Sequence, residues 1–382
     1  MKKALSYLAI LLATVSCVYP YESALEGPQE DIMVFEGDIL IGGVSTIKIS
    51  KVNSFADEWF LPNDKKGMAW IEDDQGAEYR ASETGLSDQF TIHTENAAPN
   101  HRYRMKAVVE GETYISDWLE VLSPPLIEDI FITQAADKVN VQVAVTMRGG
   151  DDATGYIGFT YEETWRFHTD YIGMYDLDTR NWTVNKRETP YPNYWCWRTE
   201  SSKGMHLLDF TEILGNRVVK YPIITFPRTD SRNHEKYSIN LTAVTLPKET
   251  FRYLKNLEQI SEGNNSLFSP NPGEMTSNIS CESDPDRTVL GYVTALRSTS
   301  FRKFANTNRF YSYQMPPTGY LFLPESRGEY REDYENGAYP VDFMSLPRGE
   351  NGEYLEGVYW GPLRCIDCIA AGGTREKPDF WQ

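Results

Sequence analysis

The segment Val139-Asn-Val-Gln-Val-Ala-Val145 decides the fold class of this chain. Its four valines fall at every second position. On an extended strand they line one face, while Asn140, Gln142 and Ala144 line the other. Because β-branched residues also fit a pleated surface well, the segment predicts a half-buried β-strand.

Similar β-like runs follow on the C-terminal side of this strand, at 155–161, 217–226, 237–246 and 288–296. One helix is predicted near 247–262, because Pro247 suits a first turn and apolar residues recur at helical spacing from Phe251 to Ile260. Residues 311–382 are rich in Gly, Pro, Tyr and acids, and they predict long loops lying against the domain.

Short alternating runs also fill the N-terminal side, including 68–72 and 77–82 around the turn Asp73-Asp74-Gln75-Gly76. Six or seven strands over about ninety residues is typical of an immunoglobulin-like sandwich. Ser123-Pro124-Pro125 ends the run, because proline cannot continue a paired central strand. The sequence thus predicts a mostly β protein, with an immunoglobulin-like β-sandwich at 31–123 and a larger β-rich C-terminal domain at 126–382.

The first residues resemble a secretory signal. Lys2 and Lys3 precede an apolar run that stops at Ser16-Cys17, and this run is too short to span a bilayer. We interpret 1–16 as a lipoprotein signal peptide, Cys17 as the acylated residue, and 17–30 as a flexible tether. In the alternative interpretation the signal is an ordinary one and Cys17 has no role.

Composition narrows the class of partner. A net charge of −18 argues against nucleic acid, because the phosphate backbone would be repelled. The chain has 24 Tyr and 9 Trp, residues that favour strands and also build binding surfaces. This enrichment supports β structure without separating core from binding site.

Four cysteines follow Cys17, and an even number in an exported chain predicts two disulfides. Four cysteines allow three connectivities, and we expect the one that joins Cys365 to Cys368 and Cys196 to Cys281. A redox-active Cys365-Ile-Asp-Cys368 motif would need a helix N-terminus to stabilise its thiolate. Glycine and proline flank the motif instead, so we favour a structural role.

No recognisable catalytic motif is present: the sequence contains no GxSxG, HExxH, P-loop or glycine-rich dinucleotide turn. The histidines at 93, 101, 168, 206 and 234 are scattered, with no pair at ligand spacing. We therefore expect no metal, no cofactor and no enzymatic activity.

The aromatic residues concentrate between 165 and 197, and Trp165, Trp195 and Trp197 are the candidate binding residues. Exposed aromatics can stack on sugar rings or hold a partner protein. The alternative is that they fill a core around Cys196. On a strand Trp195 and Trp197 share one face and Cys196 faces the other.

Several ordered segments resemble one family. They are Tyr237-Ser-Ile-Asn-Leu-Thr242 before the helix, Asn278-Ile-Ser-Cys281, Val289-Leu-Gly-Tyr-Val293, the Cys196-Trp197 element, and the segment from Cys365 to Trp381. Together they resemble a Bacteroidetes lipoprotein family catalogued as domain-of-unknown-function family 4249, often encoded next to TonB-dependent receptors. The resemblance implies an outer-membrane lipoprotein and supplies no catalytic residues.

These observations lead to one expected function and two alternatives. We expect an outer-membrane lipoprotein, facing the cell surface or the periplasm, that binds a glycan or peptide ligand or docks on a TonB-dependent transporter. The first alternative is a structural or adhesive surface lipoprotein. The second is a glycan-active hydrolase whose acids are hidden among the many carboxylates.

Overall fold

The computed structural model of this protein describes residues 32–52, 67–82, 88–150, 155–211, 213–261, 277–313, 320–322, 327–348 and 353–382. Within these ranges strands predominate, and a single long helix accompanies them. The predicted mostly β class is therefore confirmed.

The first seven strands form the N-terminal sandwich: β1 (Ile32–Leu40), β2 (Val44–Val52), β3 (Met68–Asp73), β4 (Glu78–Ser82), β5 (Gln89–His93), β6 (Tyr103–Val109) and β7 (Glu112–Ser116). β1, β2 and β5 make one sheet, while β3, β4, β6 and β7 make the other. A short pairing of β4 with β5 joins the two sheets along one side. Alternate side chains of β6, from Tyr103 to Val109, are buried in the core between them.

Two strands from much later in the chain complete this sandwich. β17 (Ile279–Cys281) pairs antiparallel with β7, and β18 (Val289–Leu296) pairs parallel with β1. Each strand thus covers backbone N–H and C=O groups at an edge of the sandwich. The prediction that all of 126–382 belongs to the C-terminal domain is wrong for these two strands, which belong to the N-terminal sheets.

Asn278 joins these two strands where they meet. Its Nδ2 donates to the carbonyl oxygen of Val293 at 2.7 Å, and its Oδ1 accepts the N–H of Val293 at 3.0 Å. The side-chain amide of Asn278 therefore pairs with Val293 as the backbone of a neighbouring strand would. Gly291 lets β18 approach β1 closely: its φ is +98°, and a Cβ there would collide with the carbonyl oxygen of Phe35.

The C-terminal domain contains two facing sheets. The three-stranded sheet has the order β15-β9-β8, and the five-stranded sheet has the order β13-β10-β16-β19, with β14 also pairing β10. Their bounds are β8 (Leu126–Gln134), β9 (Asn140–Arg148), β10 (Tyr156–His168), β13 (Trp195–Ser201), β14 (His206–Asp209), β15 (Arg217–Pro227), β16 (Lys236–Thr245) and β19 (Ser298–Asn306). Val141, Val143 and Val145 are fully buried between the sheets, whereas Val139 precedes the strand and is exposed.

Helix α1 (Lys248–Ser261) lies within the range predicted from the sequence. Phe251, near its start, is buried against Val244, Leu246 and Leu296, while Ile260 at its end is exposed. The first part of the apolar stripe therefore holds the helix on the domain.

The prediction of long loops at 311–382 is wrong for much of that region. It contains helix α2 (Arg327–Glu335) and a sheet of β20 (Tyr320–Phe322), β22 (Glu353–Pro362) and β21 (Ala338–Arg348) in that order. Trp360 is fully buried and stacks on Tyr330, with ring centroids 5.1 Å apart. The frequent glycines and prolines of residues 311–382 concealed the strand pattern in the sequence. A separate hairpin joins β11 (Tyr175–Asp178) to β12 (Thr183–Lys186).

The proposed signal peptide at 1–16, the residue Cys17 and the tether at 17–30 lie outside the described residues. In the ranges that are described, no helix has the length and apolar character needed to cross a bilayer.

We predict that Asn278→Ala lowers the free energy of unfolding by about 1–3 kcal/mol, because the backbone N–H and C=O of Val293 both lose a partner. Urea denaturation measures the change. Ser280→Ala, at an exposed position two residues away, is the matched control and should leave the midpoint unchanged. Equal midpoints for the two variants would show that the amide contributes no stability.

Candidate functional site

The five-stranded sheet has two chemically different faces. One face packs on β8, β9 and β15 and forms the core. The other, which we call the outer face, carries three rows of cross-strand neighbours. These rows are Trp195 and His168; Trp197, Arg166 and Lys236; and Thr199, Thr164, Ser238 and Phe304. The rows follow from antiparallel pairing, which places opposite residues on the same side.

Trp165 belongs to the core face, which removes it from the candidate binding residues. It is only 2% exposed, and its Nε1–H donates to the hydroxyl of Ser231 at 3.1 Å. The guanidinium of Arg232 lies 4.5 Å from the centre of its ring. For this residue the core interpretation of the aromatic cluster is correct.

A buried network of charged and polar side chains lies beside Trp165. Glu163 accepts hydrogen bonds from the hydroxyl of Tyr237 at 2.6 Å and from Nε of Arg232 at 3.0 Å. Burial alone would lower the pKa of Arg232, but the charge and hydrogen bonds of Glu163 raise it above its ordinary value. Burial, and then the charge of Glu163, raises the pKa of Tyr237. With these bonds made and the carboxylate buried, the network fixes the position of side chains in the core.

Trp195 and Trp197 point to the outer face, and Cys196 between them is buried on the other side, as the alternation predicts. Arg166 lies against both indoles, with its guanidinium carbon 4.5 Å from the Trp195 ring centre and 5.4 Å from that of Trp197. Its Nη1 also contacts both carboxylate oxygens of Glu235 at 2.9 Å. Arg166 therefore fixes two partly exposed aromatic rings in place.

A stack of four rings extends the Trp195 row. The ring centroids of His168 and His234 are 4.1 Å apart; Tyr194 stacks on His168 at 5.1 Å, and Tyr311 meets His234 edge-on at 4.8 Å. Burial, and then the nearby His168, lowers the pKa of His234 to about 4. No local sequence pattern indicates this pair, because the two histidines are 66 residues apart.

The predicted disulfide pairing is wrong. Cys196 bonds to Cys368, while Cys281 and Cys365 are buried thiols. Cys281 lies on β17 in the N-terminal sandwich, whereas Cys196 lies on β13 in a different sheet and packs in a different core. Cys365 belongs to a separate cluster with Tyr171 and Ile366, whereas Cys368 faces the core that contains Cys196. The bond joins the strand of Trp195 and Trp197 to the segment 363–373.

The described part of the chain contains no group of three or more His, Cys, Asp or Glu side chains arranged to hold a metal ion. The arrangement on the outer face is suited to contact: rigid aromatic rings, one arginine held between them, and a crosslinked strand beneath. The fold and the outer face together define a β-sandwich protein with a fixed aromatic surface.

Comparison with known sequences gives the family. The family described as "Domain of unknown function (DUF4249)" matches residues 18–302, and the chain belongs to it. No curated protein matches. One solved structure, trypsin-activated alpha-2-macroglobulin from Escherichia coli, is 12% identical, with a TM-score of 0.19. That match covers 57% of this chain and 15% of the other, and it carries no argument about this fold or its activity.

We predict that peptide mapping without reduction finds Cys196 linked to Cys368. Cys368→Ala should lower the free energy of unfolding by about 2–4 kcal/mol, because the bond restrains a long loop in the unfolded chain. Cys365→Ala is the matched control, and reductant should remove the difference in stability from wild type only for Cys368→Ala. A peptide linking Cys365 to Cys368 would contradict the assignment.

We predict that stability falls below pH 6.5. The imidazole of His234 binds its proton near pH 6.5 when unfolded and near 4 when folded, so the unfolded chain binds more protons between these values. The free energy of unfolding should be highest above pH 6.5 and should drop by about 1.4 kcal/mol per pH unit towards pH 4. Urea titrations across this range should show a shallower slope for His234→Phe than for wild type, and equal slopes for the two proteins would contradict the prediction.

Proposed function

We propose that this protein is a non-enzymatic outer-membrane lipoprotein, anchored through Cys17, that binds a glycan or peptide ligand for a TonB-dependent transporter or docks on one. The observation that carries the proposal is the pair Trp195 and Trp197, held outward on the outer face by Arg166. Tryptophan and arginine are enriched among the residues that contribute most to binding energy.

The rigidity of this surface supports a binding role. Trp195, Trp197 and Arg166 stand on paired strands, and the disulfide Cys196–Cys368 fixes the strand of both indoles from below. A surface that is ordered before contact loses less conformational entropy on binding. Aromatic rings with few rotatable bonds therefore yield more net affinity here than on a flexible loop.

The anchor contributes through local concentration. A lipid at Cys17, followed by the tether at 17–30, would restrict the domain to a thin layer at the membrane. Linked partners of this kind meet at effective concentrations of about millimolar order, so a weak contact suffices. The net charge of −18 keeps the surface solvated and disfavours association with nucleic acid.

Crosslinking and pulldown from solubilised outer membranes test the proposal. We expect wild type to recover a TonB-dependent transporter or to bind ligands on a glycan and peptide panel, and Trp195→Ala to weaken recovery about tenfold or more, because loss of one interface anchor costs roughly 2 kcal/mol.

Trp118→Ala is the matched control, because Trp118 is 37% exposed in the N-terminal sandwich and also lies under an arginine, Arg104, at 4.5 Å. Its recovery should equal that of wild type. Cys17→Ala should move the protein to the soluble fraction, because the lipid is the proposed attachment. Recovery of no transporter and binding of no ligand by wild type would refute the proposal.

A further inference from the structure

Residues 374–382, which we call the strap, lie on the outer face. At one end Trp197 and Thr374 exchange two backbone hydrogen bonds, both 2.8 Å long, at the edge of β13. At the other end Trp381 meets the ring of Phe304 at 5.7 Å, and Arg302 lies 3.6 Å from the centre of the Phe380 ring. The strap thus contacts both outermost strands of the ordered sheet, β13 and β19.

The length of the strap lets it cross the outer face. From the edge position of Thr374 to β19 there are four strand spacings, or about 19 Å. The seven residue-to-residue steps from Thr374 to Trp381 span at most about 24 Å when fully extended. The strap is therefore long enough to cross the outer face with a turn at its far end, where the N–H of Trp381 donates to the carbonyl oxygen of Pro378 at 2.9 Å. In agreement, Thr164 and Ser238 in the third row are fully buried although they point away from the core.

Few contacts hold the middle of the strap, although Trp381 at its far end is only 6% exposed. Arg375, Glu376, Lys377 and Asp379 are exposed, and the bond from Nζ of Lys236 to the carbonyl oxygen of Gln382 is exposed as well. Among the described residues, Nε1 of Trp197 and Nε of Arg166 are buried without a hydrogen-bond partner, which costs free energy. A segment whose middle is exposed and that is held mainly at its two ends opens more easily than the crosslinked turn that precedes it.

We propose that the strap is displaceable and that the face beneath it binds an extended peptide of a partner protein. This inference rests on the proposed binding function and names its ligand class. The strap is itself a peptide seated on this face, and it shows which chemistry fits: a backbone pair beside Trp197 and, about seven residues further on, an aromatic side chain against Phe304.

The edge of β13 can extend that pairing. Alternate residues of an antiparallel strand direct their N–H and C=O groups to the same side, so Thr199 faces the edge that Trp197 uses. Thr199 is exposed. A peptide can add to such an edge as a further strand, with affinity from backbone hydrogen bonds and specificity from the side chains. An aromatic side chain of the peptide that packs against Phe304 would supply that specificity.

Peptide binding in trans tests the inference with full-length protein in detergent. The probe is a fluorescent peptide of residues 372–382, and the control probe carries Ala at positions 380 and 381. The double variant Phe380→Ala, Trp381→Ala should bind the probe at least about tenfold more tightly than wild type, because its own strap no longer competes at high effective concentration. Equal affinity for both probes, or for both proteins, would overturn the proposal.

Two further measurements keep the result interpretable. Adding Phe304→Ala to the double variant should abolish probe binding, while peptide mapping confirms that Cys196–Cys368 is intact and the sheet is folded. In wild type, hydrogen exchange should be faster for amides 375–382 than for 365–373, and equal protection would also overturn the proposal. Neither measurement uses the anchor or a transporter, so failure here leaves the membrane pulldown to decide the proposed function separately.

Discussion

The backbone groups along the edges of the N-terminal sandwich impose the constraint on which this structure depends. An open edge presents unpaired N–H and C=O groups, and it must be covered or it will pair with another chain. β17 and β18 supply the cover from a distant part of the sequence, and the amide of Asn278 links them. Because the strands between β7 and β17, together with β19, build the second domain, the two domains are interwoven and neither corresponds to a continuous segment of chain.

Alternation along β10 and β13 places the buried core side chains and the outer-face aromatic rings on opposite sides of one sheet. Odd-numbered residues of β10, among them Glu163, Trp165 and Phe167, face the core, while Arg166 and His168 face outward. On β13 the parity is reversed: Cys196 anchors the strand inward, and Trp195 and Trp197 face the other side. The outer face therefore keeps its geometry through bonds made on the opposite face.

Local patterns allowed much of this to be predicted. The valine alternation from Val139 indicated β structure, helical spacing located α1, and the parity of Trp195 and Cys196 separated their faces. The features that the sequence did not predict are those that depend on which strands become neighbours. The Cys196–Cys368 bond, the pairing of Gly291 with Phe35 and the stack of His168 on His234 all arise from long-range register, which a single sequence does not encode locally. Trp165 shows the same limit, because its type suits a core and a binding surface equally.

The late arrival of β17 and β18 also affects how the molecule reaches its native state. Synthesis proceeds from the N-terminus at about 5–20 residues per second, so the ribosome needs roughly 10–35 s to pass from β7 to the end of β18. If the sandwich formed during that interval, it would have two unpaired strand edges, with which neighbouring nascent chains could pair. Export of the kind proposed above would keep the chain unfolded until Leu296 has emerged, so that β17 and β18 can cover both edges as the sandwich forms.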